Sequence, residues 1–162
     1  MKTERTLVVA IEDISTTRCV GKEAAHVAME IGATRIVLLH VLDQHPLSGA
    51  AVAMSGYFFP VAEPPEEGGT LLQDAQAAVC AEFDREGRTV PEMDLLVGKG
   101  IPSTVIEEVI RSFGAGDVVL GARHHHLLGS LVYGDVRAHL KCLDARHVHV
   151  AALEALSGKG HM

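Results

Sequence analysis

The sequence has no tryptophan, and aromatic residues make up only 4% of it. A hydrophobic core therefore cannot rely on aromatic side chains and has to be aliphatic. Apolar residues nevertheless occupy 48% of the 162 positions, which is enough to bury a core in a chain of single-domain length. We expect one domain with a core of valine, leucine, isoleucine and alanine.

Cysteine is scarce as well. The three cysteines, Cys19, Cys80 and Cys142, are widely spaced and form no Cys-x-x-Cys pair, so the sequence does not favour a disulfide framework. Reduced thiols are typical of the cytoplasm. No apolar run approaches the length of a membrane span, and the run Leu7–Ile11 is too short for a signal peptide. We expect a cytoplasmic protein without membrane contact.

An excess of basic residues is missing too. The chain has 14 lysines and arginines against 21 acidic residues, and its formal net charge is −7. Nucleic acids and anionic membranes bind basic surfaces, so neither is expected as a partner. A small anion held by backbone N–H groups is still compatible with this charge.

Common catalytic motifs are absent from the sequence. It contains no Gly-x-Ser-x-Gly elbow and no HExxH, and GKGIPST is not a Walker A motif because Lys99 precedes its second glycine. No residue is therefore predicted to be catalytic, and a dedicated metabolic enzyme is not expected.

Short apolar runs alternate with helical patterns along most of the chain. A continuous apolar run of about 4–8 residues is typical of a strand buried on both faces. The predicted strands are Leu7–Ile11, Arg35–Leu42, Met93–Val97, Asp117–Gly121 and His147–Ala151. Apolar residues at helical spacing lie between them, with Gly32 ending the first helix and Pro102 opening the third. This alternation predicts a doubly wound, three-layer α/β/α domain around a five-stranded parallel sheet.

Residues 43–69 interrupt the alternation. They are rich in proline, glycine and small residues and lack a sustained period, so we predict a long loop within a domain that spans residues 1–152. The aromatic run Tyr57-Phe58-Phe59 in this loop has two interpretations, packing over the second helix or covering a ligand or partner site. Residues 153–162 are expected to be a disordered tail.

Four stretches resemble the universal stress protein family in their order and spacing. They are Asp13-Ile14-Ser15, Leu38-Leu39-His40-Val41, Gly98-Lys99-Gly100-Ile101-Pro102 and the segment from Gly121 to Gly134. The resemblance implies an adenine nucleotide alpha hydrolase-like sheet with the five predicted strands in the order 3-2-1-4-5, and a homodimer. It also implies an adenine contact by the backbone of Val41, whereas His40 is interpreted as a packed histidine at a strand end.

The segment that follows the fourth predicted strand is where the resemblance implies phosphate binding. ATP-binding members of this family carry Gly-x2-Gly-x9-Gly-Ser/Thr there, and the glycines let the backbone approach the phosphates. Gly121 and Gly134 occupy the first and third glycine positions, but His124 replaces the second glycine and Asp135 replaces the hydroxyl residue. The Asp135 carboxylate would cap the following helix in place of a phosphate. A register that ends on Gly129-Ser130 restores the hydroxyl but shortens the loop and misplaces the helix.

If nucleotide binding is retained, the resemblance assigns the site to the strand ends and the phosphate segment. These residues are Ile11, Glu12, Asp13, Ser15, Val41, Gly121, Arg123, His124, Gly134, Asp135 and Val136. A weak metal site is an alternative use of His124, His125 and His126, although adjacent residues rarely bind one ion together.

The last predicted strand carries the expected dimer interface. Its residues are His147, Val148, His149 and Val150. Two histidines near a symmetry axis would make the dimer sensitive to pH, because histidine changes its charge between about pH 5 and 8.

Two function classes follow. The preferred one is a stress-response regulatory module that acts through dimerisation and interaction with a protein partner that the sequence does not identify, without tight ATP binding. The alternative is an ATP- or AMP-binding stress sensor with slow ATP hydrolysis. In the alternative, Mg²⁺ bridges Asp135 to a triphosphate and Arg123 contacts phosphate oxygens.

Overall fold

Strands and helices alternate through the part of the chain that the structure describes. This computed structural model describes residues 3–12, 16–43, 57–60, 69–121 and 147–151, and for residues 43, 57–60 and 147–151 it describes the backbone. The elements are β1 (Thr6–Ile11), α1 (Thr17–Ile31), β2 (Arg35–Asp43), β3 (Tyr57–Pro60), α2 (Gly69–Arg85), β4 (Glu92–Gly100), α3 (Pro102–Phe113), β5 (Asp117–Gly121) and β6 (His147–Ala151). The predicted fourth helix and the predicted tail lie outside these residues.

Within the described residues, the strands form one six-stranded sheet in the order β3-β4-β2-β1-β5-β6. All neighbours pair in parallel except β3, which runs antiparallel to β4. The five predicted strands therefore have the order 3-2-1-4-5 that the resemblance implied. The order reverses beside β1, because β2 and β4 are added on one side of it and β5 on the other.

The strand β3 differs from the prediction of a continuous loop over residues 43–69. Its backbone pairs with the carboxyl-terminal half of β4, from Tyr57 opposite Lys99 to Pro60 opposite Leu96. A four-residue strand within a proline- and glycine-rich segment gives no periodic signal of its own. Its conformation is stabilised by the exposed edge of β4, which is a tertiary feature.

The strand β4 is longer than predicted at its carboxyl end. The predicted strand ended at Val97, but Gly98, Lys99 and Gly100 extend the ladder with β2 as far as Asp43 opposite Gly100. Glycine weakens an isolated strand, yet the β4 backbone is paired on both sides at Gly98. The chain leaves the sheet only at Gly100, whose φ of 135° suits glycine.

The sheet is covered on both faces, as predicted. Alternate side chains of β1 point to opposite faces. Leu7 and Val9 belong to the cluster under α1 and α2, whereas Val8 and Ala10 belong to the cluster under α3. Full burial of each such aliphatic side chain contributes about 1.5–3 kcal/mol. The predicted aliphatic core is confirmed, with Phe83 as an aromatic exception.

Two helices end at a glycine residue. Gly32 ends α1 and Gly114 ends α3, each in the left-handed conformation with φ of 67° and 62°. Both positions are unfavourable for residues with a Cβ atom, and the predicted end of the first helix at Gly32 is confirmed. No helix in the described ranges is long and apolar enough to cross a membrane.

Arg35 connects three elements at the amino-terminal edge of the sheet. Its Nη2 lies 2.8 Å from Oε1 of Glu92, and its Nε lies 3.1 Å from Oδ2 of Asp94. Its guanidinium also lies 5.7 Å from the ring centroid of Phe113, at the end of α3. The hydrogen bond to Glu92 and the charge of Asp94 raise the pKa of Arg35 above its usual value. The guanidinium of Arg35 is therefore charged at neutral pH, as its ion pairs require.

The helices α1 and α2 make an unusually close contact at Gly21. A Cβ atom on Gly21 would lie 2.8 Å from Cβ of Ala78 and 3.1 Å from the carbonyl oxygen of Ala75. Small residues on both helices therefore let the two backbones approach each other. The spacing of α1 and α2 over the sheet depends on this contact.

Replacement of Gly21 by alanine is expected to lower the free energy of unfolding. Overpacking costs about 1–3 kcal/mol, which exceeds the gain of about 0.5–1 kcal/mol from placing alanine in a helix. Urea denaturation measures the change. Gly116→Ala is the matched control, because a Cβ atom at Gly116 meets nothing within 4 Å. A Gly21→Ala variant as stable as the Gly116→Ala variant would contradict the close contact.

Candidate functional site

The carboxyl ends of β1, β2 and β5 lie side by side at one edge of the sheet. Open parallel sheets bind ligands at this edge, where the strand order reverses. Ile11 ends β1, Gly121 ends β5, and Val41 lies near the end of β2. These sequence-predicted residues are therefore brought together, and Glu12 follows Ile11 directly.

The hydrogen-bonded ladder between β1 and β5 ends before the two strands do. It runs from Leu7 opposite Asp117 to Ala10 opposite Leu120. The next residue of β1, Ile11, continues to pair only with β2, and Gly121 continues to pair with β6. The described pairing of β1 with β5 therefore stops one residue before the ends of both strands, at the reversal point where open parallel sheets have their ligand crevice, and we call this strand-end region the crevice.

Gly121 also contacts the beginning of α1. A Cβ atom on Gly121 would lie 3.2 Å from Cγ2 of Val20 and 3.9 Å from Oγ1 of Thr16. Val20 is fully buried, so it cannot move aside into solvent. The glycine at the end of β5 thus lets the first turn of α1 pack closely against the end of that strand.

Two polar side chains adjoin the crevice on the β1–β2 side. Glu12 is half-buried, and its Oε1 is shielded from solvent. His40 is half-buried on β2, and its Nδ1 lies 2.7 Å from the carbonyl oxygen of Ile11. His40 was interpreted from its sequence position as a packed histidine, and its hydrogen bond to Ile11 was not predicted. A polar residue between Leu38 and Leu42 on an otherwise apolar face was the available signal.

Most of the predicted phosphate segment lies outside the described residues. This applies to Asp13, Ser15, Arg123, His124, Gly134, Asp135 and Val136, and to the alternative metal ligands His125 and His126. In the described part of the chain, no group of three or more His, Cys, Asp or Glu side chains could hold a metal ion. The backbone of β6 pairs with β5, which puts His147–Val150 in the outermost strand on that side of the sheet.

A second concave surface lies on the outer side of α1 and α2. It is an open groove of about 580 Å³. Its lining residues are Thr17, Arg18, Lys22, Asp74, Ala77, Ala78, Ala81 and Glu82. Because charges of both signs line it, the groove offers no uniform field for an anionic ligand. The crevice at the strand ends is therefore the better candidate site.

Comparisons with known proteins bear on the family and the fold of the chain. A sequence profile described as "Universal stress protein family" matches residues 4–140. No curated protein sequence matches the chain.

Several solved structures share the fold. A universal stress protein in complex with cAMP is 18% identical, with a TM-score of 0.55 and coverage of 92% of this chain and 97% of that one. The universal stress protein from Archaeoglobus fulgidus is 17% identical, with a TM-score of 0.55 and coverage of 93% and 99%. Its complex with dAMP gives 16% identity, a TM-score of 0.53 and coverage of 94% and 100%.

The packing of Gly121 against Val20 can be tested by a double-mutant cycle. We expect Gly121→Ala to destabilise the protein by about 1–3 kcal/mol through overpacking. In a Val20→Ala background the same substitution should cost less, with a coupling energy of about 0.5–2 kcal/mol. Urea denaturation of the four proteins measures this coupling. Additive effects would mean that Gly121 and Val20 are not in contact.

Proposed function

Because the chain belongs to the universal stress protein family, we propose that it is a stress-response regulator whose crevice binds an adenosine monophosphate-class nucleotide and does not hold ATP tightly. The observation that carries the proposal is that the pairing of β1 with β5 stops before Ile11 and Gly121 at the reversal point. The two neighbours described as complexes contain cAMP and dAMP, which are both adenine monophosphates.

The nucleoside end of the ligand suits the β1–β2 side of the crevice. Val41 is half-buried at the end of β2 and offers backbone groups to an adenine ring. Glu12 offers a carboxylate, which accepts hydrogen bonds from ribose hydroxyls. A carboxylate is a poor neighbour for a phosphate, so the sugar is the better match for this side.

The phosphate end suits the β5 side, where Gly121 precedes the phosphate segment. His124 and Asp135 limit what can bind there. Two like charges about 4 Å apart repel by about 4 kcal/mol at an effective dielectric constant near 20. A nucleoside monophosphate carries about two negative charges at neutral pH, and a triphosphate carries more. The Asp135 carboxylate therefore weakens the binding of ATP more than it weakens the binding of AMP.

Titration calorimetry with AMP and with ATP and Mg²⁺ tests this preference. The parent protein should bind AMP more tightly than ATP. Asp135→Ser should increase ATP affinity by at least about tenfold, or about 1.4 kcal/mol, because it removes a repulsive charge. The AMP affinity should change less.

Asp74→Ser is the matched control for this charge change, since Asp74 is an exposed carboxylate on α2. It should leave both affinities unchanged. Tighter binding of ATP than of AMP by the parent protein would contradict the charge argument. Failure to bind either nucleotide would leave protein interaction as the function.

The regulator is further proposed to act as a homodimer through β6. This strand is outermost in the described sheet, and its inner side pairs with β5. An edge strand offers backbone groups to a second chain. Two-fold pairing would bring His147 and His149 of both copies close to the symmetry axis. The protein partner of such a regulator would recognise the dimer.

Sedimentation velocity at about pH 8 and about pH 5.5 tests the dimer. Histidines that gain charge near a two-fold axis repel each other, so the dimer should weaken at the lower pH. His147→Gln with His149→Gln should dimerise equally at both pH values. A monomer under both conditions would rule out the β6 dimer, and an unchanged dimer of the parent would rule out the histidine switch.

A further inference from the structure

The hydrogen bond between His40 and Ile11 joins a side chain of β2 to the last backbone carbonyl of β1. Its length of 2.7 Å is short for a nitrogen–oxygen pair. A carbonyl oxygen only accepts, so Nδ1 of His40 carries the proton. The bond therefore selects the Nδ1–H tautomer of the neutral imidazole.

The position of this bond matters because it lies at the crevice. His40 is opposite Ile11 in the β1–β2 register. The ladder between β1 and β5 has already ended at Ala10 and Leu120. The imidazole of His40, on β2, therefore binds the carbonyl of the peptide between Ile11 and Glu12, at the end of β1.

A trans peptide carries its C=O and N–H groups on opposite sides, and the described chain has no cis peptide bond. Because the carbonyl of Ile11 faces His40 on β2, the N–H of Glu12 faces the β5 side. The hydrogen bond to His40 thus fits a peptide whose C=O lies on the β2 side and whose N–H is directed toward β5.

Packing alone does not explain a histidine at this position. Leu38 and Leu42 precede and follow it on the same face, in contact with the cluster under α1 and α2. A leucine would continue that apolar row, but it would remove the donor to Ile11. A buried carbonyl that loses its donor reorients or recruits water.

We propose that His40 is a positioning residue, which orients the Ile11–Glu12 peptide and thereby sets the affinity of the crevice for a nucleotide. The effect on affinity rests on the nucleotide-binding function proposed above, whereas the orientation of the peptide does not. His40 does not itself have to touch the ligand.

Three substitutions separate orientation from packing. His40→Asn keeps an amide donor near the position of Nδ1, His40→Gln moves the donor one bond further out, and His40→Leu removes it. AMP affinity should fall by about tenfold or more in the leucine and glutamine variants and stay within about threefold of the parent in the asparagine variant. His26→Leu is the control, because His26 is exposed on α1 and its partner Glu82 on α2 keeps a second contact with Arg85, and this variant should bind as the parent does.

Nuclear magnetic resonance tests the orientation without any ligand. The imidazole nitrogen shifts of His40 should report the Nδ1–H tautomer, and an Nε2–H tautomer would overturn the proposal. The backbone amide signal of Glu12 should move in His40→Leu and return in His40→Asn. An unchanged Glu12 signal in His40→Leu would also overturn it.

The two experiments distinguish the failure of each proposal. If the parent protein binds no AMP, the proposed nucleotide function fails and the affinity effect of His40 fails with it. If the parent binds AMP and folded His40→Leu binds it equally well, only the positioning role is overturned. Circular dichroism and thermal unfolding identify variants that are folded.

Discussion

The burial of β1 on both faces is the constraint on which the rest of the structure depends. Leu7, Val8 and Val9 are fully buried, and they point alternately into the two clusters that hold α1 and α2 on one face and α3 on the other. A strand with this pattern needs a neighbouring strand on each side and helices above and below it. With β2 on one side and β5 on the other, the reversal of strand order beside β1 follows directly.

The two ends of the sheet are built differently. At the amino-terminal edge, side-chain ion pairs join the elements, with Arg35 between Glu92 and Asp94 and with Arg5 beside buried Asp117 at 3.7 Å. At the carboxyl edge, the pairing of β1 with β5 stops before the strand ends, and glycine allows close backbone approach. Ion pairs thus connect the strands at one end, and the opposite end has the strand-end geometry at which open parallel sheets bind ligands.

The candidate site combines a family geometry with local departures from the family pattern. The chain belongs to the universal stress protein family, and its crevice lies at the reversal point of the sheet. The sequence that follows β5 nevertheless puts an imidazole and a carboxylate, His124 and Asp135, where close approach and a hydroxyl would favour a triphosphate. The proposed binding of a nucleotide with few phosphates rests on this geometry and on these two residues.

The sequence by itself determined the five parallel strands, the aliphatic core, the helix end at Gly32, and the strand ends at which the candidate site is proposed. These features depend on local properties, namely periodicity, backbone freedom and the length of apolar runs. Only the tertiary structure decided that Tyr57–Pro60 form a strand and that β4 continues to Gly100. It alone also revealed the contact of Gly121 with Val20 and the hydrogen bond of His40 to Ile11. Each of these depends on a neighbour distant in sequence, because an exposed strand edge or an approaching helix supplies the contact that local preference lacks.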